Sequence, residues 1–79
     1  MNTDVKELLL SASPALLSEY KNIAEYKLKE NKTSLFRTMI ESTSNSSYSP
    51  SYRRVLELNI KLLEEILSYI GTLERDRQR

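Results

Sequence analysis

The sequence predicts an all-α fold in which a long antiparallel helical hairpin is preceded by a short helix. Three observations predict it. Apolar residues recur at helical spacing along two stretches of similar length, and a Ser-Pro dipeptide opens each stretch. The chain also holds one glycine and two prolines, too few of the turn residues on which sheets and barrels depend. At 79 residues it has room for a single helical domain, 1–79, with a small core.

The first element starts at Thr3 or Asp4, where Asp4-x-x-Glu7 has the form of a capping box ahead of Val5, Leu8 and Leu9. It predicts a short helix over 4–11. Nucleation is costly and few propagation steps follow, so a helix of this length forms only when docked, with Leu8 and Leu9 as the docking face.

Ser13-Pro14 opens the second element, with Ser13 as cap and Pro14 at the first helical position, where its missing N–H costs nothing. The apolar positions Leu16, Leu17, Tyr20, Ile23, Ala24, Leu28, Leu35, Phe36, Met39 and Ile40 predict a helix over 14–41. A polar gap, Lys29 to Ser34, interrupts the stripe. The chain either passes through it with Asn31 on the stripe or breaks there and restarts with Thr33 or Ser34 as a cap. The eleven-residue repeat of Leu17, Leu28 and Met39, echoed by Ala24 and Leu35, favours the unbroken helix because it keeps one face in line.

Residues 42–49 are serine-rich and aperiodic, which predicts a loop. Ser49-Pro50 then opens a last helix over 50–76. Its seam positions are Tyr52, Leu56, Asn59, Leu63, Ile66, Ile70 and Leu73, flanked by Val55, Ile60, Leu62, Leu67 and Tyr69. This face is too wide for a two-stranded coiled coil and suits a helix with two or more neighbours. Gly71 falls on the outer face, costs the helix about 1 kcal/mol and predicts fraying beyond Leu73.

A hairpin covers one side of each stripe; the N-terminal segment can shield part of the remainder at one end, and the rest implies a further partner. A four-helix bundle formed by dimerisation or by co-assembly with another helical subunit would supply it. The expected contact residues are Leu56, Asn59, Leu63, Ile66, Ile70 and Leu73 on the last helix, with Leu17 and Leu28 on the one before. Asn31 and Asn59 lie on the two stripes. In a seam they would fix register and partner number, whereas at the stripe edge they would simply face water.

Catalytic chemistry finds little material here. Histidine, cysteine and tryptophan are absent, which removes the usual general base, the thiol nucleophile and the common zinc ligands. One glycine cannot build a phosphate loop. Glu64 and Glu65 point about 100 degrees apart with Lys61 in reach, as surface charge does. No catalytic, cofactor or metal site is expected, and the chain is read as a non-enzyme.

Positive charge is local: 12 Lys and Arg face 11 acids, for a net charge of +1. In a hairpin, Arg37 would lie near Arg53 and Arg54, a candidate phosphate or nucleic-acid contact with Lys32 in support. Arg75, Arg77 and Arg79 suit a helix C-terminus. The acidic start, Met1-Asn2-Thr3-Asp4, does not resemble a signal peptide, and Glu57, Lys61, Glu64 and Glu65 interrupt the most apolar window, so no membrane span is expected. The absence of cysteine leans towards a cytoplasmic or other intracellular setting. The ending inside a helical pattern is also compatible with a piece of a longer chain. The expected function is therefore a protein-protein interaction module, in the manner of an adaptor, assembly subunit or small chaperone. The alternative is a small helical dimer that binds nucleic acid through its arginines.

Overall fold

Each of the three periodic segments is an α-helix: α1 (Thr3–Ser11), α2 (Pro14–Glu41) and α3 (Pro50–Arg77). The computed structural model describes residues 1–41 and 50–77, so the expected serine-rich loop, 42–49, and the candidate cap Ser49 lie outside the described residues. Helices α2 and α3 pack antiparallel as a hairpin.

The cap of α1 differs from the expected capping box. Asn2, in extended conformation, accepts a hydrogen bond on its side-chain oxygen from the Asp4 amide at 2.8 Å. An asparagine one residue outside the helix satisfies an exposed amide directly, and Asp4 then falls in the first turn, where its charge meets the positive end of the helix dipole. Extended Ala12 ends α1. Ser13 opens α2 as expected: its hydroxyl oxygen accepts from the Leu16 amide at 3.2 Å and its carbonyl from the Leu17 amide at 2.8 Å.

Helix α2 passes through the polar gap without a break. The Asn31 side-chain amide donates to the Lys27 carbonyl at 2.7 Å, so this residue is bonded to its own helix one turn back. Helix α3 continues past Leu73 to Arg77, one residue beyond the expected end. Leu73 is buried and Arg77 is tied to α1, and these contacts outweigh the weak helix preference of Gly71.

Three contacts place α1. The Met1 ammonium lies 3.3 Å from Glu65, the Lys6 ammonium stands 5.9 Å from the centre of the Tyr69 ring, and Arg77 donates to the Leu10 carbonyl at 3.1 Å. Helix α1 therefore runs alongside residues 65–77 of α3, in the same direction, and Arg77 caps its C-terminal end.

Where the three helices meet, Leu9, Ala12, Leu17, Ile70 and Leu73 form the buried core, with Val5, Tyr20, Ile66 and Tyr69 packed around it. Ile70 and Leu17 are fully enclosed. Burying side chains of this kind is worth about 1.5–3 kcal/mol each, which is what holds a nine-residue helix in place. The docking face of α1 is Val5, Leu9 and Ala12, at one-turn spacing; Leu8, expected to share it, is 54 % exposed because it points one residue away from that line. In the same way Ile23 is exposed and its neighbour Ala24 is buried. Adjacent helical residues point about 100 degrees apart, so only one can face the hairpin, and the smaller one lets the two backbones approach.

Two stability changes follow. Ile70→Ala should cost 2–5 kcal/mol, a typical range for emptying a close-packed site, and should lower the thermal midpoint measured by circular dichroism. Gly71→Ala should raise stability by about 1 kcal/mol, since a Cβ at this helical position meets no atom within 4 Å.

Candidate functional site

The residues expected to meet a partner lie mostly inside the chain. Leu17, Ile70 and Leu73 belong to the core, and Leu56 is buried farther along the hairpin. Leu28, Leu63 and Ile66 are half-buried. Asn59, also half-buried, donates its side-chain amide to the Asn31 side-chain oxygen at 3.4 Å. The two asparagines thus meet across the hairpin instead of facing water, a long polar contact that opposes sliding of α2 along α3.

This placement bears on the wide stripe of α3, whose cover at one end comes from the N-terminal segment, as the sequence allowed. Its breadth reflects two neighbours within the chain, α2 on one flank and α1 on the other, and these already cover Leu17, Ile70 and Leu73. Cover by α1 stops where its N-terminus meets Glu65. Earlier residues of the same stripe remain in solvent. Val55 and Leu62 precede Tyr69 by two and one heptads and Leu58 precedes Glu65 by one, so all three lie on the face that α1 occupies lower down. They are 53 %, 42 % and 56 % exposed. On α2, Phe36 is 63 % exposed, and Met39 and Ile40 are exposed near it. Exposed apolar side chains also occur at the α1 end, at Leu8, Leu10 and Leu16, but those of α3 gather at the end of the hairpin remote from α1.

Between α2 and α3, toward the end remote from α1, lies an open depression of about 640 Å³. Glu30, Asn31, Ser34 and Arg37 line it from α2, Tyr52 and Leu56 from α3, and Tyr26, Lys29 and Thr33 extend its rim. Its walls differ in character. The α2 wall offers charge and hydrogen bonds; the α3 wall is apolar and aromatic.

The three candidate arginines do not share this depression. Arg37 lines it, Arg54 flanks Leu58 in an adjoining hollow with Glu57 and Lys61, and the Arg53 side chain lies 3.5 Å from Glu57, one turn along α3. Lys32 lies 4.0 Å from Glu64 across the hairpin, and Lys21 is 3.3 Å from Glu74. These exposed pairs set the register of α2 against α3 more than they stabilise it, since such pairs are worth at most about 1 kcal/mol. Among the described residues there is no group of three or more acids, histidines or cysteines placed to hold a metal ion, and no helix is long and apolar enough to cross a membrane.

What sequence reasoning missed here is the role of Val5, Ala12 and Arg77 in seating α1, and hence which half of the α3 stripe stays open. The seven-residue relation of Val55, Leu62 and Tyr69 was available as a signal. Its meaning depended on knowing where α1 stops. The chain matches no protein-family model, and comparisons with curated proteins and with solved structures find no match either.

Graded exposure of the tyrosines gives a direct check. Tyr26 is 62 % exposed, whereas Tyr20 and Tyr69 pack against the core. Mild iodination followed by mass spectrometry should modify Tyr26 well before Tyr20 or Tyr69. Equal rates at all three would contradict the placement of α1.

Proposed function

We propose that the chain is a non-enzymatic helical interaction module that buries its exposed apolar end against a helical protein partner. One observation carries this reading: after the hairpin has formed and α1 has docked, Phe36, Val55, Leu58 and Leu62 still stand in water. Scattered apolar residues are ordinary on any surface, but here three of the four fall on one helical stripe of α3. Burial of that stripe is favourable at about 25 cal/mol per Å² of apolar surface.

Assembly into a four-helix bundle, by dimerisation or with a different subunit, is the form this burial takes in the proposal. The docking end differs from the one the sequence suggested, because α1 occupies the half of the hairpin that holds Ile70 and Leu73. Adaptor, assembly-subunit and small-chaperone roles share this physical act. Arg53 is engaged by Glu57, and Arg37 and Arg54 line separate hollows, so the arginines add charge to the rim without forming one phosphate cradle.

Sedimentation equilibrium and binding of a hydrophobic-surface dye test the proposal together on the pure chain. The wild type should either self-associate or bind the dye as a monomer, and the double variant Phe36→Glu with Leu58→Glu should lose that behaviour while keeping its helical circular dichroism. Both positions are exposed, so the fold tolerates the change. A monomer that binds no dye, and that the double variant leaves unaltered, would overturn the reading.

A further inference from the structure

The groove that seats α1 continues past the end of α1, and its continuation has the same apolar wall. Val5 and Leu9 of α1, with Ala12 just beyond its end, share one apolar cluster with Ile66, Tyr69 and Leu73 of α3. One and two heptads earlier, Leu62 and Val55 present the same face of α3, with Leu58 beside them. The open stretch, residues 50–64 of α3, is roughly 22 Å long, enough for about four turns of helix.

Acids and bases both line the open stretch, but its acids are matched within the chain. Glu30 is matched by Lys27 at 3.5 Å and Glu57 by Arg53 at 3.5 Å. Among the described residues, no carboxylate pairs with Lys29, Arg37, Arg54 or Lys61. Arg54 and Lys61 flank Leu58 on α3, and Arg37 and Lys29 line the separate depression walled by Tyr52 and Leu56 at the same end of the hairpin. Apolar floor and basic borders together define the complement: a helix with an apolar stripe and acidic flanks.

We propose that the open half of the α1 groove binds an acidic amphipathic helix of a partner protein, seated on Val55, Leu58 and Leu62 end to end with α1. This rests on the interaction-module reading and adds the occupant. Continuity supports it, because the same groove already holds a helix of this chain by the same kind of contact. Acidic flanks would reach the cations that no carboxylate of the described residues meets.

The probe is a synthetic helical peptide of about four turns with leucine at i, i+4, i+7 and i+11 and glutamate at the flanking positions, titrated against the full chain by fluorescence anisotropy. Its partner probe carries lysine in place of each glutamate. We expect the acidic peptide to bind about tenfold or more tightly than the lysine peptide, and Leu62→Glu or Val55→Glu to weaken the acidic peptide by about tenfold or more. Leu8→Glu, on the outer side of α1, should leave it unchanged. Equal binding of the two peptides would overturn the proposal, as would binding that neither groove variant affects. The proposal would also fall if a single-stranded RNA oligonucleotide bound with the same dependence on Leu62 while the acidic peptide did not. A chain that dimerises through this stripe, excluding the peptide until Leu62→Glu separates the copies, would replace the partner helix with a second copy. Absence of peptide binding in a chain that still binds dye or self-associates through Phe36 and Leu58 would remove only the acidic helix; the interaction-module reading would stand.

Discussion

Everything in this small protein turns on the seating of α1 against Leu17, Ile70 and Leu73. A two-helix hairpin cannot enclose a side chain from all directions, because each helix offers its neighbour one face only. Helix α1 supplies a third wall, and that is why full enclosure is found at Leu17 and Ile70, beside α1. The seat is held by Val5, Leu9 and Ala12 at its centre, by the Met1 ammonium with Glu65 at one end, and by Arg77 on the Leu10 carbonyl at the other. Because α1 is short, the third wall is short too. Among the described residues it covers α3 from Glu65 onward, and the earlier heptads have α2 as their helical neighbour.

The asymmetry orders the rest of the molecule. At the α1 end, buried aliphatic side chains carry the stability. Through the middle, Ala24 allows close approach, and Asn31 and Asn59 meet across the interface. A weak polar contact there contributes less to stability than to register, since sliding the helices would separate the pair without providing another partner. At the far end Leu56 and Thr38 are buried, but Phe36, Val55 and Leu58 are not. The α1 end thus encloses Leu17 and Ile70 while leaving Leu8 and Leu10 exposed on its outer side, and the far end leaves Phe36, Val55 and Leu58 exposed.

Much of this was legible in the sequence, and the reasons differ by element. The Ser13-Pro14 signal marked the start of α2 because a hydroxyl cap and a proline without an N–H solve the same problem at a helix start. Eleven-residue spacing carried α2 through its polar gap. The wide stripe on α3 correctly implied more than one neighbour, but periodicity reports how many faces are apolar and not which helix covers each. The N-terminal segment, expected to shield part of the stripe at one end, does so as α1, and Ile70 and Leu73 are buried in the core beside it. Choices between adjacent residues, such as Ile23 against Ala24 or Leu8 against Leu9, depend on the rotation of each helix by a fraction of a turn. Hydropathy alone favours the larger residue in the first pair and is silent in the second.

Native-state hydrogen exchange along α3 tests the central claim most directly, because protection of each amide reports how firmly that turn is held. If α1 closes one end of the hairpin and leaves the other open, amides from Ile66 to Leu73 should exchange most slowly, with protection falling away through Leu62 towards Arg54. Uniform protection along the whole of α3 in the pure, monomeric chain would contradict the account, for it would mean that the far end is as well enclosed as the core.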